Sequence, residues 1–340
     1  MANDLLTIMQ ENLNLKQRQE ILNKIETELS ERYKKKVSAI AYIFNTSNAF
    51  VNMPMNLSHI SHLEDLVRIS KENGSETLAL MVESLGGDAN FPSELDDRIR
   101  KYYDEYFTIG VNVLKSAATL LSLLSDKVIA LETASFGPVD PQLLYTSKDG
   151  VPVSIPARAI VDLFEKTLPT FIKSMGPPER TMIMASQNYI LYQQAKDAIK
   201  NVGIVVERLK SKKRLNDTQL KEVKKKLIDE PLSHGNRIDI GELSKMGVKT
   251  ESLSVSDSLA ELLIEYHRRA IRNLMIEVHP GQQGVILFES TKRSLQLGAF
   301  IPPPQAPIST GTPSPVAKPP EPNRMQDDEK KGENTTEEKQ

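Results

Sequence analysis

The sequence predicts an α/β fold built from consecutive strand, helix, strand units. Two observations predict it. Short, β-branched apolar runs of strand length alternate with longer helical segments between Val37 and Leu131, and those runs are apolar at nearly every position instead of every second one. A strand that is apolar throughout is buried on both faces, which is the signature of parallel pairing under right-handed helical crossovers.

The elements follow in order. From Gln17 to Tyr33 the apolar positions Ile21, Leu22, Ile25, Leu29 and Tyr33 recur every three or four residues, the stripe of a helix that must dock on a core. Val37 to Phe44 is a strand, Ser58 to Lys71 a helix ended by Asn73-Gly74, and Thr77 to Glu83 a second strand. After Ser84-Leu85-Gly86-Gly87 come a helix over Pro92 to Tyr106 and a third strand over Phe107 to Val113. Lys115-Ser116-Ala117-Ala118-Thr119-Leu120-Leu121 starts a helix that enters the core end-on, and Lys127 to Leu131 is a fourth strand. The two prolines of Ser135-Phe136-Gly137-Pro138-Val139-Asp140-Pro141-Gln142 keep that segment irregular. Beyond Gly150 the pattern turns helical: 157–168, 178–210, 218–229, 238–246 and 256–276, with one late strand at 284–289.

Three regions result: an N-terminal helical segment over 1–36, a main domain over 37–290 and a tail over 291–340. From about Pro302 the tail is rich in proline and then in charge, so it buries too little apolar surface to offset its chain entropy and is expected to be disordered. Its prolines are a candidate ligand for a partner groove.

Composition narrows the function. A net charge of −2 gives no general pull toward nucleic acid, and the lysines between Lys210 and Lys226 read as a solvated helix face. The 340 residues contain no cysteine, which excludes a disulfide framework, thiolate metal ligation and a cysteine nucleophile. No run of about 18 apolar residues is present, and the start MANDLLTIMQEN lacks a signal-peptide pattern, so a cytoplasmic protein without a transmembrane segment is expected. There is no phosphate-binding G-x-x-x-x-G-K-[ST] loop. His59 and His62, with Glu64 and Asp65 nearby, lack a further convincing ligand and read as packing residues, so no metal and no cofactor is expected.

Chemistry concentrates at three turns. A diglycine after a strand lets the backbone approach a ligand and frees amide N–H groups to face an oxygen, though it also serves in an ordinary tight turn. Ser116 at a helix start is either an N-cap or a nucleophile lying in the positive potential of the helix end. Gly87 and Ala117 N–H groups converging beside it would form an oxyanion hole. Asp140 sits between prolines in the third turn, where it orients a base, closes the loop or simply turns the chain.

In this order, Gly86-Gly87, Ser116-Ala117-Ala118-Thr119 and Gly137-Pro138-Val139-Asp140-Pro141-Gln142 resemble the Clp/crotonase-fold serine peptidases, in particular the serine dehydrogenase proteinase branch, which is related to the signal peptide peptidases. The likeness runs from Val37 to Gln142, with an echo at Ser233-His234-Gly235 and over Ile240 to Val248. It implies stacked βαβ units followed by a largely helical C-terminal half, a homo-oligomer, a serine endopeptidase acting on unfolded proteins or peptides, Ser116 as nucleophile, and Gly86, Gly87 and Ala117 around the oxyanion. It leaves the base open. Where the Clp proteases carry a histidine this chain has Pro141 beside Asp140. The lysine used by the signal peptide peptidases falls in a window holding Lys166, flanked by Lys148 and Lys173, and His234 is the other candidate. Lys115, adjacent to Ser116, diverges from it and bears on the local potential alone. Two rival readings remain: a catalytically silent scaffold of the same fold that binds partners, and an acyl-CoA enzyme whose thioester enolate would use the same two amides.

Overall fold

Strand β1 (Val37–Phe44) is buried along its whole length, and the alternation of its side chains explains how. Ile40, Tyr42 and Phe44 join one core cluster while Ala39, Ala41 and Ile43 join another, so the sheet is covered on both faces. The computed structural model describes residues 2–47, 53–146, 152–178, 189–211, 214–229, 237–275, 277–279 and 282–300.

Helix α2 (Ile60–Glu72) leads to β2 (Thr77–Ser84), α3 (Phe91–Ile99) to β3 (Tyr106–Leu114), and α4 (Ala117–Leu124) to β4 (Lys127–Leu131). The pairs β1·β2, β2·β3 and β3·β4 are all parallel. Each crossover helix packs into the cluster that holds Tyr42 and Leu80, so the three βαβ units stack on one face. Helix α3 is shorter than the pattern predicts, because Tyr103 and Tyr106 are core residues of the turn and strand that follow it.

A short strand β5 (Ser135–Phe136) pairs with β3, and β6 (Gln142–Thr146) forms a separate hairpin with β7 (Pro152–Pro156). The helices after it are α5 (Ala157–Asp162), α6 (Leu168–Lys173), α7 (Tyr189–Ser211), α8 (Asp217–Lys224), α9 (Ile240–Lys245) and α10 (Ser258–Leu274). Single π-helical turns at Leu163–Thr167 and Lys225–Asp229 interrupt or end the predicted helices. On the predicted basic face, Lys210 pairs with Asp217 and Lys224 with Glu207, as expected of a solvated surface.

The sheet is completed by the late strand expected at 284–289 and by three strands absent from the sequence reading. Strand β8 (Thr250–Leu253) adds to β4 in parallel, whereas β10 (Gln282–Ser290) lies antiparallel to β1, β9 (Glu277–His279) pairs with β10, and β11 (Ser294–Phe300) closes that edge. The tail therefore does not begin at 291: Leu295, Leu297 and Ala299 pack against the core. Residues 301–340, where the tail was expected, lie outside the described residues.

Helix α1 (Ala2–Tyr33) docks Leu22, Ile25 and Leu29 on the other face, beside α10 and over the small side chains Ala39, Ala41 and Ala79. Small residues there let the helix approach closely. Arg18, 2% exposed, holds the buried Glu289 of β10 through Nη2 at 2.7 Å and Nε at 3.1 Å, and the same carboxylate accepts from Tyr266 and Ser294.

Glu26 of this helix accepts the Ala39 N–H at 2.8 Å, and burial pushes its carboxyl from 4.5 up to about 7. A folded-state value above the unfolded one means that folding favours the protonated form. Its contribution is full below about pH 4.5 and is lost as pH rises through about 7. Glu26→Gln keeps the acceptor without the charge. It is expected to raise stability at pH 8 by on the order of 2 kcal/mol and to flatten the pH dependence across that window, as read by urea denaturation.

His59 is a core residue: its Nδ1 accepts from Tyr42 Oη at 2.8 Å, and its ring packs against Phe44 and Phe288. His62 lies on Phe288. Among the described residues no group of three His, Asp or Glu could hold a metal ion.

Candidate active site

The ends of β2, β3 and β5 lie side by side, with Ser84 paired to Leu114 and Leu114 to Phe136. The Lys115 N–H donates to Ser84 O at 2.9 Å and the Gly137 N–H to Leu114 O at 3.1 Å, so the chains leaving these strands emerge next to one another. This is the carboxyl edge of a parallel sheet, where ligands of open α/β folds collect. It also brings together the three turns singled out in the sequence.

At the first turn, Gly86 has φ +109°, and a Cβ there would stand 2.6 Å from Ser116 Cβ and 3.0 Å from Lys115 O. Only a residue without a side chain permits that approach. Its N–H is committed to Ser84 Oγ at 3.0 Å, and its carbonyl accepts from Met55 N. Gly86 is thus not available as an oxyanion donor, which corrects the expectation from sequence. Gly87 is different. The parallel bridge to Met55 is made by Gly86 O and Asp88 N, which leaves the Gly87 N–H on the opposite edge of the segment. A Cβ on Gly87 would fall 2.3 Å from Met55 N and O, so the strap through Met55 presses directly against it.

At the second turn, Ser116 has φ 50° and ψ −115°, a conformation costly for a residue with a Cβ. Its side chain makes no capping bond to α4, so the ordinary N-cap reading does not hold. Lys115 leaves in another direction, as expected. Its Nζ donates to Ser135 Oγ at 3.0 Å and Phe136 O at 3.1 Å, and burial, with the charge of Arg237 second, holds its ammonium below the usual lysine range.

The third turn carries Asp140, 5% exposed, whose Oδ2 accepts from Gln142 Nε2 at 3.0 Å. Val139 N–H donates to Leu227 O at 2.8 Å, and Phe136 exchanges two backbone bonds of 2.9 Å with Ile238. Thr119, wholly buried, reaches both the second and third turns: its Oγ1 lies 2.8 Å from Leu114 O and 2.9 Å from Gly137 O, and accepts the Gly137 N–H at 3.2 Å.

Gly86, Gly87, Ser116, Ala117 and Asp140 line one cavity of about 610 Å³. Its far wall is Ala198, Asn201 and Val202 of α7, with Ser154 from the hairpin. No local signal in the sequence marks these residues, because a helix position reads alike whether its neighbour in space is core or cavity. Asp88 and Asp140 are the ionisable side chains among the described lining residues.

Lys166 is not brought to this cavity. It lies 67% exposed on a π-helical turn, paired with Asp162 at 2.8 Å, and so does not supply a base beside Ser116. Lys173 is likewise exposed on α6. Lys148 and His234 lie outside the described residues.

Among solved structures, the chain is similar to a mutant of the 1510-N membrane-bound stomatin-specific protease, at 15% identity over 71% of this chain and 84% of that one, with a TM-score of 0.35. It is also similar to a mutant of ClpP1 from Listeria monocytogenes, at 9% identity over 68% of this chain and 99% of that one, again with a TM-score of 0.35. No curated protein matches it. Among the described residues no helix is long and apolar enough to cross a membrane. A family model described as ClpP-like SDH-type serine proteinase matches residues 4–281, and the chain with its diglycine, strained serine and proline-bracketed aspartate belongs to that family.

Proposed function

We propose that the protein is a serine endopeptidase in which Ser116 Oγ attacks the carbonyl carbon of an extended peptide. The N–H groups of Gly87 and Ala117 hold the oxyanion. The serine proton passes to a base and then to the leaving amine as the C–N bond breaks, and water hydrolyses the acyl-serine ester. The observation that carries this reading is the strained backbone of Ser116. It holds an uncapped hydroxyl at a helix start, against a glycine that alone permits the contact.

We assign the base to His234. Leu227 and Ile238, the nearest described residues shown to bond the third turn from either side of it, both attach to the 136–139 loop that leads into the cavity. Lys148 is less well served. Its flanking residues Thr146 and Pro152 form the pair at the distal end of the hairpin, four residues beyond the Gln142 and Pro156 pair, or about 13 Å further along the strands. Imidazole also needs little tuning to accept a proton near neutral pH. The substrate is an unfolded protein or peptide, met in the cytoplasm by a homo-oligomer whose Pro-rich tail is a candidate ligand for a partner groove.

A fluorophosphonate reagent is expected to label wild-type protein and to leave folded Ser116→Ala unlabelled, with peptide turnover lowered by at least about 10³-fold. His234→Ala should lose turnover to a similar degree, because groups acting as a unit do not add, while Lys166→Ala keeps it. Equal labelling of wild type and Ser116→Ala, or turnover that survives the alanine, would overturn the assignment. A folded wild-type protein without labelling or turnover would favour the scaffold reading.

A further inference from the structure

We infer that Thr119 is a positioning residue, which sets the gap between the Ser116 turn and the Val139–Asp140 wall of the cavity. The inference rests on the peptidase reading above. A threonine inside a helix ordinarily returns its hydroxyl to a carbonyl three or four residues back. Thr119 instead reaches Leu114 O, five residues back at the end of β3, and Gly137 O in the third turn, at 2.8 and 2.9 Å. It also accepts the Gly137 N–H at 3.2 Å, and that N–H lies 3.1 Å from Leu114 O as well. One hydroxyl therefore ties the strand that delivers Ser116 to the loop that delivers Asp140.

The tie has little slack. A Cβ on Gly137 would fall 2.2 Å from Lys115 Cδ, so the third turn already lies against the residue before the serine. The far end of that turn is held separately, by the Val139 N–H on Leu227 O. Removing the Thr119 hydroxyl takes away the one proton that Leu114 O and Gly137 O share and leaves the near end held by backbone bonds alone, the Gly137 N–H on Leu114 O and the Phe136 pair with Ile238. The wall then shifts relative to the nucleophile while its other anchor persists. A displacement of about 1 Å at a reacting centre costs about 10²-fold in rate.

The test compares Thr119→Val and Thr119→Ser with wild type, each normalised to the fraction of chains labelled by fluorophosphonate. Valine keeps the shape and loses the hydroxyl; serine keeps the hydroxyl. Thr119→Val is expected to lower kcat/KM per labelled site by about 10- to 100-fold. It should also raise the preference for peptides with a large apolar side chain at the cleaved bond over those with alanine. Thr119→Ser should restore both. Loss of stability alone would lower the labelled fraction and leave the preference unchanged. Unchanged per-site kinetics in Thr119→Val, or the same loss in Thr119→Ser, would overturn the inference. Should Thr119→Val not fold, the wild-type protein decides: the Gly137 amide is expected to be among the slowly exchanging protons, and rapid exchange there would sink the tie. Failure of the peptidase reading would show separately, as wild-type protein whose Ser116 is not labelled.

Discussion

Gly86→Ala is expected to lower peptide turnover by about 10²-fold or more while the chain stays folded. The added methyl would sit 2.6 Å from Ser116 Cβ and 3.0 Å from Lys115 O, closer than carbon and oxygen atoms pack, at a φ of +109° that alanine rarely adopts. Lys115 cannot retreat easily, since its N–H is bonded to Ser84 O and its Nζ to Ser135 and Phe136. The partner that gives way is Ser116, whose side chain makes no capping bond and whose placement sets the rate in the proposed mechanism. Fluorophosphonate labelling should slow in parallel with turnover, and thermal unfolding checks that the fold persists. Wild-type labelling rates in folded Gly86→Ala would mean that the diglycine and the serine do not make the contact described.

The largest effect on stability is expected at Arg18. Its guanidinium is the charge partner of Glu289, a carboxylate that is 0% exposed, and one of its nitrogens, Nη1, finds no partner among the described residues. Arg18→Met leaves the carboxylate buried with only the hydroxyls of Tyr266 and Ser294, and breaking such a pair from one side typically costs about 3–5 kcal/mol. Since the pair joins α1 to β10, loss should appear first as release of the N-terminal helix. Adding Glu289→Leu to Arg18→Met is expected to recover most of the loss, because the desolvated charge goes too. Chemical denaturation of the two single variants and the double variant measures the coupling.

The parts of this fold that could be read from residues are those where a local pattern and the tertiary environment agree. β1, β2, β3 and β4 are mostly apolar because both their faces are covered along most of their length, and α10 shows the stripe that docks it beside α1. Strands β8 and β11 escaped notice for the complementary reason. Thr250–Leu253 is mostly polar with one buried residue, and Ser294–Phe300 is half-exposed, since each forms an edge and has only one neighbour to satisfy. The hairpin at Gln142–Thr146 and Pro152–Pro156 carries prolines at its ends and no clear alternation, so no strand was expected there.

The site divides in the same way. Gly86, Gly87, Ser116 and the Gly137 to Gln142 turn were legible because backbone chemistry at strand ends leaves a mark in the sequence: glycine where no side chain fits, serine at a helix start, proline where regular structure stops. Lys166 fell at a plausible spacing and yet points to solvent beside Asp162, because distance along a chain carries no direction in space. Likewise nothing local told Ala198, Asn201 and Val202 that the surface they cover would be a cavity.

By itself the sequence determined the parallel strand and helix units, the family likeness and the serine. Tertiary structure alone decided that Gly86 lies against Ser116 where no side chain fits, that the Met55 strap bonds Gly86 O and Asp88 N on one edge of the diglycine, and that Thr119 Oγ1 touches both the second and third turns. Such roles depend on which groups lie within about 3 Å after the strands have paired. The choice of pairs is made by packing across the whole sheet, not by any stretch of chain alone.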